Sequence, residues 1–309
     1  GHYTTFYGTY TCVDCLDYVN REEQQYLSIL DEVYHHGTKM DNRTGVPTRS
    51  LFVRTMRFDM RDGKIPVLTT KRTFFRGGAE EMFFFLSGST DVEKLQQKNI
   101  HYWDANTTTE FIQQRGLPFE EYDMGATYGF LYRHFGAEYH GKNKNYQDQG
   151  FDQVAYVIDE IKRNPSSRRI MIDLWSPEDL NNCVLPPCLY NFVFYVDQNE
   201  GTISLHASLR SSDFFLGCPL NLVNAAVLLR LICHCTDYRA GDLVVTCNNV
   251  HIYENQLEAV ERQLERSPNK VFPKLYIKTN EKDIFKLRYE DIQLVNYSCD
   301  PSIQADMAV

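Results

Sequence analysis

Two prolines and a cysteine lead an apolar, aromatic run in Val184-Leu-Pro-Pro-Cys188-Leu-Tyr-Asn-Phe-Val-Phe-Tyr-Val196, which sets one thiol at the entrance of an expected strand. A cysteine inside a strand is ordinary packing, since free cysteine is among the most buried residue types. A cysteine placed at a strand entrance by a Pro-Pro turn is a candidate nucleophile, provided cationic groups lower its pKa and populate the thiolate. Arginines stand in comparable settings: Arg43 in DNRTG, Arg168 and Arg169 in NPSSRRI, and Arg210 in LRSSD each occupy a turn or strand end. From such positions their forked donors can converge on a phosphate. A papain-like cysteine–histidine pair is the alternative, and it requires an imidazole beside the thiol.

The 309 residues carry a formal net charge of −9, which argues against general nucleic-acid or acidic-membrane binding. Any anionic ligand must then meet a local arginine cluster. No apolar run reaches the roughly 18 residues of a membrane span, and the start does not resemble a signal peptide, so a soluble, cytoplasmic protein is expected. Nine cysteines, an odd number without framework spacing, are expected to stay reduced. Cys12-x-x-Cys15 lacks a second ligand pair, so no metal is expected. The sequence opens Gly1-His2-Tyr3 without methionine, which suggests processing, an engineered terminus or excision from a longer polypeptide.

The elements that must position these residues read as a mixed α/β (α+β) fold. Residues 1–20, rich in Tyr and Thr, form an arm, and residues 21–309 form one domain without repeat, linker, GxGxxG or GxxxxGK[ST]. Helical spacing begins at Arg21, with Tyr26, Leu27, Leu30 and Val33 on one face and Gly37 as a stop. A strand is expected over 51–60, with Phe52, Met56, Phe58 and Met60 on one side, then apolar helices over 79–86 and 151–163. Strands follow at 170–175, 189–196 and 202–209, the last alternating strictly through Ile203, Leu205, Ala207 and Leu209. An apolar helix around 222–235 reads as too short and interrupted to cross a bilayer. Strand 243–247, helix 252–266 and strand 275–278 complete the set.

With these segments in place the chain resembles the thymidylate synthase family. The matching stretches run in order: DNRTG (41–45), MRFDM (56–60), PVLTTKR (66–72), EEMFFFLSGST (80–90), WDAN (103–106), YGFLYRHFGAEY (128–139), NPSSRRI (164–170), LPPC (185–188), LRSSDFFLG (209–217), HIY (251–253) and DMAV (306–309). The resemblance covers roughly residues 21–309. It implies a sheet packed by helices whose free face joins two subunits into a homodimer. It further implies the substrate dUMP and the co-substrate 5,10-methylenetetrahydrofolate, with no metal, and in some lineages fusion to dihydrofolate reductase.

Uracil C5 is a poor nucleophile, and such enzymes add a thiolate to C6 so that the base becomes an enolate able to attack the one-carbon unit. By this resemblance Cys188 is the nucleophile, Arg43, Arg210 and Ser211 grip the 5′-phosphate, and Arg168 and Arg169 reach over from the second subunit. Asn221 falls where the family reads the O4/N3 edge of uracil; taken alone it is an ordinary helix-start cap. Glu81 corresponds to a buried glutamate that organises proton transfers, and the apolar residues around it would raise its pKa. Tyr128 supports that network, and His251 and Tyr253 hold the ribose. Lys71, Trp103, Asn106, Asp213 and Gly217 match cofactor-contacting positions, Asp213 serving the substrate as well, and the tail Met307-Ala308-Val309 closes over the folate.

The chain departs from the family pattern around the base and the folate. Leu189 stands for the histidine after the nucleophile, Leu209 for a glutamine and Ser208 for a tyrosine before Arg210. Asn248-Asn249 stands for Gly-Asp, Ala126-Thr127 for Pro-Val, Tyr102 for an aliphatic residue and Leu220 for a phenylalanine. Three outcomes stay open on sequence: hydride completes the reaction and gives dTMP, water completes it and gives a 5-hydroxymethyl nucleotide, or the chain is a catalytically weakened nucleotide-binding relative.

Overall fold

The computed structural model describes residues 18–308 and the backbone of a hairpin, β1 (Tyr3–Phe6) and β2 (Thr9–Cys12). There follow α1 (Arg21–His36), β3 (Thr38–Met40), β4 (Thr48–Asp59), α2 (Phe75–Leu86), α3 (Glu93–Gln96), α4 (Thr109–Gln114), α5 (Tyr128–Arg133) and α6 (Gln153–Arg163). The second half holds β5 (Met171–Asp173), β6 (Leu189–Asp197), β7 (Thr202–Asp213), α7 (Gly217–Thr236), β8 (Arg239–Tyr253), α8 (Leu257–Leu264), β9 (Lys274–Ile277) and β10 (Ile292–Val295).

Six strands form one mixed sheet in the order β3-β4-β8-β7-β6-β5. Only β7 and β8 run parallel, because α7 crosses between them; every other pair is antiparallel. Alternation along β7 buries Ile203, Leu205, Ala207 and Leu209 on the helix side, while Ser204, His206 and Ser208 face the other way. On that second face β6 leaves Tyr195 68% exposed.

Helix α7 is longer than the sequence suggests. Its stretch Cys218–Thr236, 19 residues, is long and apolar enough to cross a membrane by length and composition, yet most of it is packed inside the protein. An all-round apolar helix is what a core position demands, and α7 fills that position between α2 and the sheet. Strand β4 brings a second correction: Phe52, expected beside Met56 and Phe58 on the inner side, is 81% exposed. The adjacent Val53 has φ of 50°, which breaks the pleat and turns the side chain out. Helix α2 begins at Phe75, so Glu81 lies mid-helix, and β8 runs on to Tyr253 where a helix was expected to have begun.

Candidate active site

Cys188 is half-buried and immediately precedes β6. Its carbonyl accepts the Arg210 N–H at 2.9 Å, so nucleophile and arginine are cross-strand neighbours. The β6/β7 register slips between Leu189 and Asn191, placing a bulge directly after the thiol. Bulges of this kind re-aim side chains beside active sites. The Arg210 guanidinium lies 3.8 Å from the Cys188 sulfur, donates to the Pro187 and Pro186 carbonyls at 2.8 and 3.0 Å, and sits over the Trp175 ring. It is therefore held by the same Pro-Pro turn that presents the thiol. Burial pushes the Cys188 pKa up, while Arg210 and then Arg43 pull it down; burial prevails, and the resting group is a thiol.

Cys188 opens into a cavity of about 660 Å³ shared with Arg43, Arg210, Ser211, Asp213, His251 and Tyr253. These side chains come from the β3–β4 loop and the ends of β7 and β8, where Asp213 pairs in register with His251. Asp213 accepts the Leu216 N–H at 3.0 Å and so closes the turn into α7. Burial lowers the His251 pKa, Asp213 opposing, and Nδ1 of His251 meets Asn249 at 2.9 Å. Cys188 makes no hydrogen bond to a histidine among the described residues, which leaves the papain-like pairing without support. Arg168 and Arg169 are exposed at the bend before β5 and do not line this cavity.

Behind the thiol stands a buried polar group in apolar surroundings. The Tyr128 hydroxyl accepts the Cys188 N–H at 2.9 Å, and its ring stacks on Phe85. Glu81 accepts from the Trp103 indole N–H at 2.9 Å, and burial lifts its carboxyl to about 7 against the pull of Trp103 and Asn224. A carboxyl so tuned exchanges its proton near neutrality. Asn221 is not a cap: Leu216 caps α7, and the Asn221 side chain lies against Gly217. Asn106 is buried in the turn after Trp103. Lys71 is turned inward, its Nζ donating to the Phe215 carbonyl at 2.5 Å and lying 3.4 Å from that ring's centre. Burial pulls its pKa down to about 7. Cys15 and Val309 lie outside the described residues.

Several supporting residues escaped the sequence reading. Arg115 lines the same cavity and donates to the Cys183 carbonyl at 3.1 Å, though nothing in QQRGLP marks it. Asn224 donates to the Gly78 carbonyl at 2.7 Å, and an amide within the apolar run LNLVNAAVLL was a usable signal. Glu23, fully buried, accepts from the Thr69 N–H, the Thr69 hydroxyl and the Thr70 N–H, and so fixes the loop that carries Lys71. Of the departures, Leu189 faces Leu209 across β6 and β7, and the Thr127 hydroxyl ties α5 to the Leu185 carbonyl at 3.0 Å. The Tyr102 hydroxyl is buried without a partner among the described residues.

Comparison with known proteins agrees with this geometry. The sequence pattern of the thymidylate synthase family matches residues 24–309. The chain is 42% identical over 288 residues to the thymidylate synthase of varicella-zoster virus (strain Dumas), covering 93% of this chain and 94% of that one. It is 38% identical over 288 residues to thymidylate synthase 1/2 of Encephalitozoon cuniculi, covering 93% and 97%. It is 41% identical over 291 residues to the bifunctional dihydrofolate reductase-thymidylate synthase of Leishmania major, where the match takes 94% of this chain but 56% of the relative. The chain thus spans little more than half the length of its bifunctional relatives.

Proposed function

This chain belongs to the thymidylate synthase family, and on that premise we propose that it converts dUMP to dTMP with 5,10-methylenetetrahydrofolate. The observation that carries the reading is the Cys188–Arg210 ladder pair, which presents a thiol and a guanidinium to one cavity. The Cys188 thiol gives up its proton as its sulfur adds to C6 of the base, and the electron pair moves toward O4, which takes a proton through Glu81. Arg43, Arg210 and Ser211 take the phosphate, His251 and Tyr253 the ribose, and Asn221 the O4/N3 edge. The bound folate supplies the one-carbon unit and the hydride. Glu81, with Tyr128 at its side, relays these protons and takes the proton that C5 must lose once it has bonded to the one-carbon unit; that loss releases the folate nitrogen and leaves an exocyclic methylene, and hydride transfer to the methylene expels the sulfur from C6 as a thiolate, which regains its proton. Trp103, Asn106, Asp213, Gly217 and the C-terminal tail would hold the folate beside the base.

The active unit is a homodimer in this reading. Arg168 and Arg169 are exposed, and the strand β5 that follows them edges the sheet. The face carrying Tyr195, His206 and Ser208 would meet its copy and bring those arginines to the partner's phosphate site. Residues 1–20 lie wholly outside the family match and serve as an arm in this reading. The bifunctional relatives also carry a dihydrofolate reductase, which suits a reaction that oxidises tetrahydrofolate, and the same arrangement is proposed for the native polypeptide; intact-mass measurement tests it. The decisive experiment for the reaction is mass spectrometry of the product from dUMP and methylenetetrahydrofolate. A mass of dTMP is expected, lost in Cys188→Ser; a 5-hydroxymethyl product, or product formation by the variant, overturns the reading.

A further inference from the structure

The ends of β7 and β8 opposite the thiol enclose a second cavity, about 460 Å³, that the reaction does not use. Thr202, Arg239 and Ala240 line it from the starts of those strands, whereas Arg210, Asp213 and His251 line the first cavity from their ends. Three arginines reach this second space, and their circumstances differ. Arg61 is neutralised by Asp59, Glu200 and Asp242. Arg239 donates to the Glu200 carbonyl and is otherwise exposed. Arg230 projects from the last turns of α7, between the fully buried Leu229 and Leu231, and its single side-chain hydrogen bond among the described residues goes to the Gly63 carbonyl at 3.3 Å.

Among the described residues no carboxylate lies within ion-pair distance of Arg230. Burial pulls its pKa below the ordinary arginine value, with only the Cys233 thiol opposing. Arg230 is half-buried without a nearby counter-charge, and a guanidinium so placed meets an oxyanion best through a bidentate pair. Four of its five N–H donors have no partner among the described residues, and the guanidinium borders the cavity. Tyr238 and Tyr276 line the same space and offer ring faces beside the charge, among polar neighbours that include Asp62, Glu200 and His234.

We propose that this cavity is a second binding site, for a small phosphomonoester with a ring body, whose phosphate is taken by Arg230 with Arg239 at the rim and whose ring lies against Tyr238 and Tyr276. The assignment is independent of the reaction at Cys188. It is tested by titrating phenyl phosphate, inorganic phosphate and benzoate into the full chain without nucleotide and reading binding by calorimetry, the binding that Arg230 substitutions remove being that of this cavity. One phenyl phosphate per chain is expected, bound more tightly than inorganic phosphate or benzoate, and weakened about tenfold or more in Arg230→Ala and Arg230→Met. The methionine variant keeps the side-chain stem and guards against misfolding, which circular dichroism checks. Identical isotherms for wild type and both variants, absence of binding at millimolar phenyl phosphate, or tighter binding of benzoate would each overturn it. Because the readout is the difference between wild type and the Arg230 variants, failure of the reaction at Cys188 would leave this test unaffected.

Discussion

Leu189 and Leu209 face one another in register across β6 and β7, both buried, one following Cys188 and the other preceding Arg210. Each stands where the family pattern has a polar side chain, so the two departures form one apolar contact beneath the ladder pair. Restoring one polar group alone buries it against a leucine, at a cost of about 1–3 kcal/mol. Leu189→His and Leu209→Gln should each lower unfolding stability by that order, and the double variant by clearly less than their sum. Denaturant unfolding of the four proteins measures the coupling, and strict additivity would sink the pairing.

Arg210 lies 3.8 Å from the Cys188 sulfur and opposes the burial that lifts its pKa. Arg210→Met leaves only Arg43 to oppose burial. Alkylation of Cys188 by iodoacetamide at pH 8, followed by peptide mass spectrometry to separate it from the other cysteines, should slow by about three- to tenfold, with the pH midpoint displaced upward. An unchanged midpoint would show that the guanidinium acts on the turn carbonyls alone.

Glu81 has its pKa raised to about 7 in the folded protein from an ordinary 4.5, chiefly by burial. The native state thus holds a proton that the unfolded chain releases, and stability falls as pH rises from 4.5 to 7, by roughly 3 kcal/mol in total. Glu81→Gln removes this penalty. Its gain in stability over wild type should be greatest at pH 8 and small at pH 4.5, while turnover collapses. A stability difference independent of pH would mean that the carboxyl is not tuned as described.

Tyr128 supplies the acceptor for the Cys188 N–H. Tyr128→Phe keeps the stack on Phe85 and leaves that donor unpaired, a cost of about 1–3 kcal/mol. Covalent attachment of dUMP, followed by intact-mass spectrometry, should slow by about tenfold or more, with the melting temperature also reduced. Attachment at the wild-type rate would remove Tyr128 from the positioning of the nucleophile.

The parts legible in sequence were those governed by local pattern. Strict alternation through Ile203, Leu205, Ala207 and Leu209 marked β7, and ordered motifs pointed to the family. Failures came where tertiary context overrode pattern. Phe52 left its expected face because Val53 distorts the strand, and α7 outran its reading because burial permits an unbroken apolar helix. At the site, residue types at strand ends were readable, whereas Arg115, Asn224 and Glu23 gain meaning only from partners far along the chain. Lys71 was readable as a cation but not as one turned inward.

That inward turn makes Lys71 a separate test. Its ammonium is buried against Phe215, and burial brings its pKa from 10.5 down to about 7. Here the unfolded chain holds the extra proton between pH 7 and 10.5, so stability attributable to this group rises with pH across that window. Its full cost, on the order of 5 kcal/mol, applies below pH 7. Lys71→Met preserves length and apolar contact, and should therefore stabilise the protein at pH 6 more than at pH 10. If the lysine keeps its bond to the Phe215 carbonyl when the folate binds, it positions the turn into α7 and acts on the folate only indirectly. The KM for methylenetetrahydrofolate should then stay within about twofold of wild type, since a lost direct charge contact would raise it about tenfold. A rise of that size, or a stability gain larger at pH 10 than at pH 6, would show that the side chain leaves its buried seat to meet the ligand.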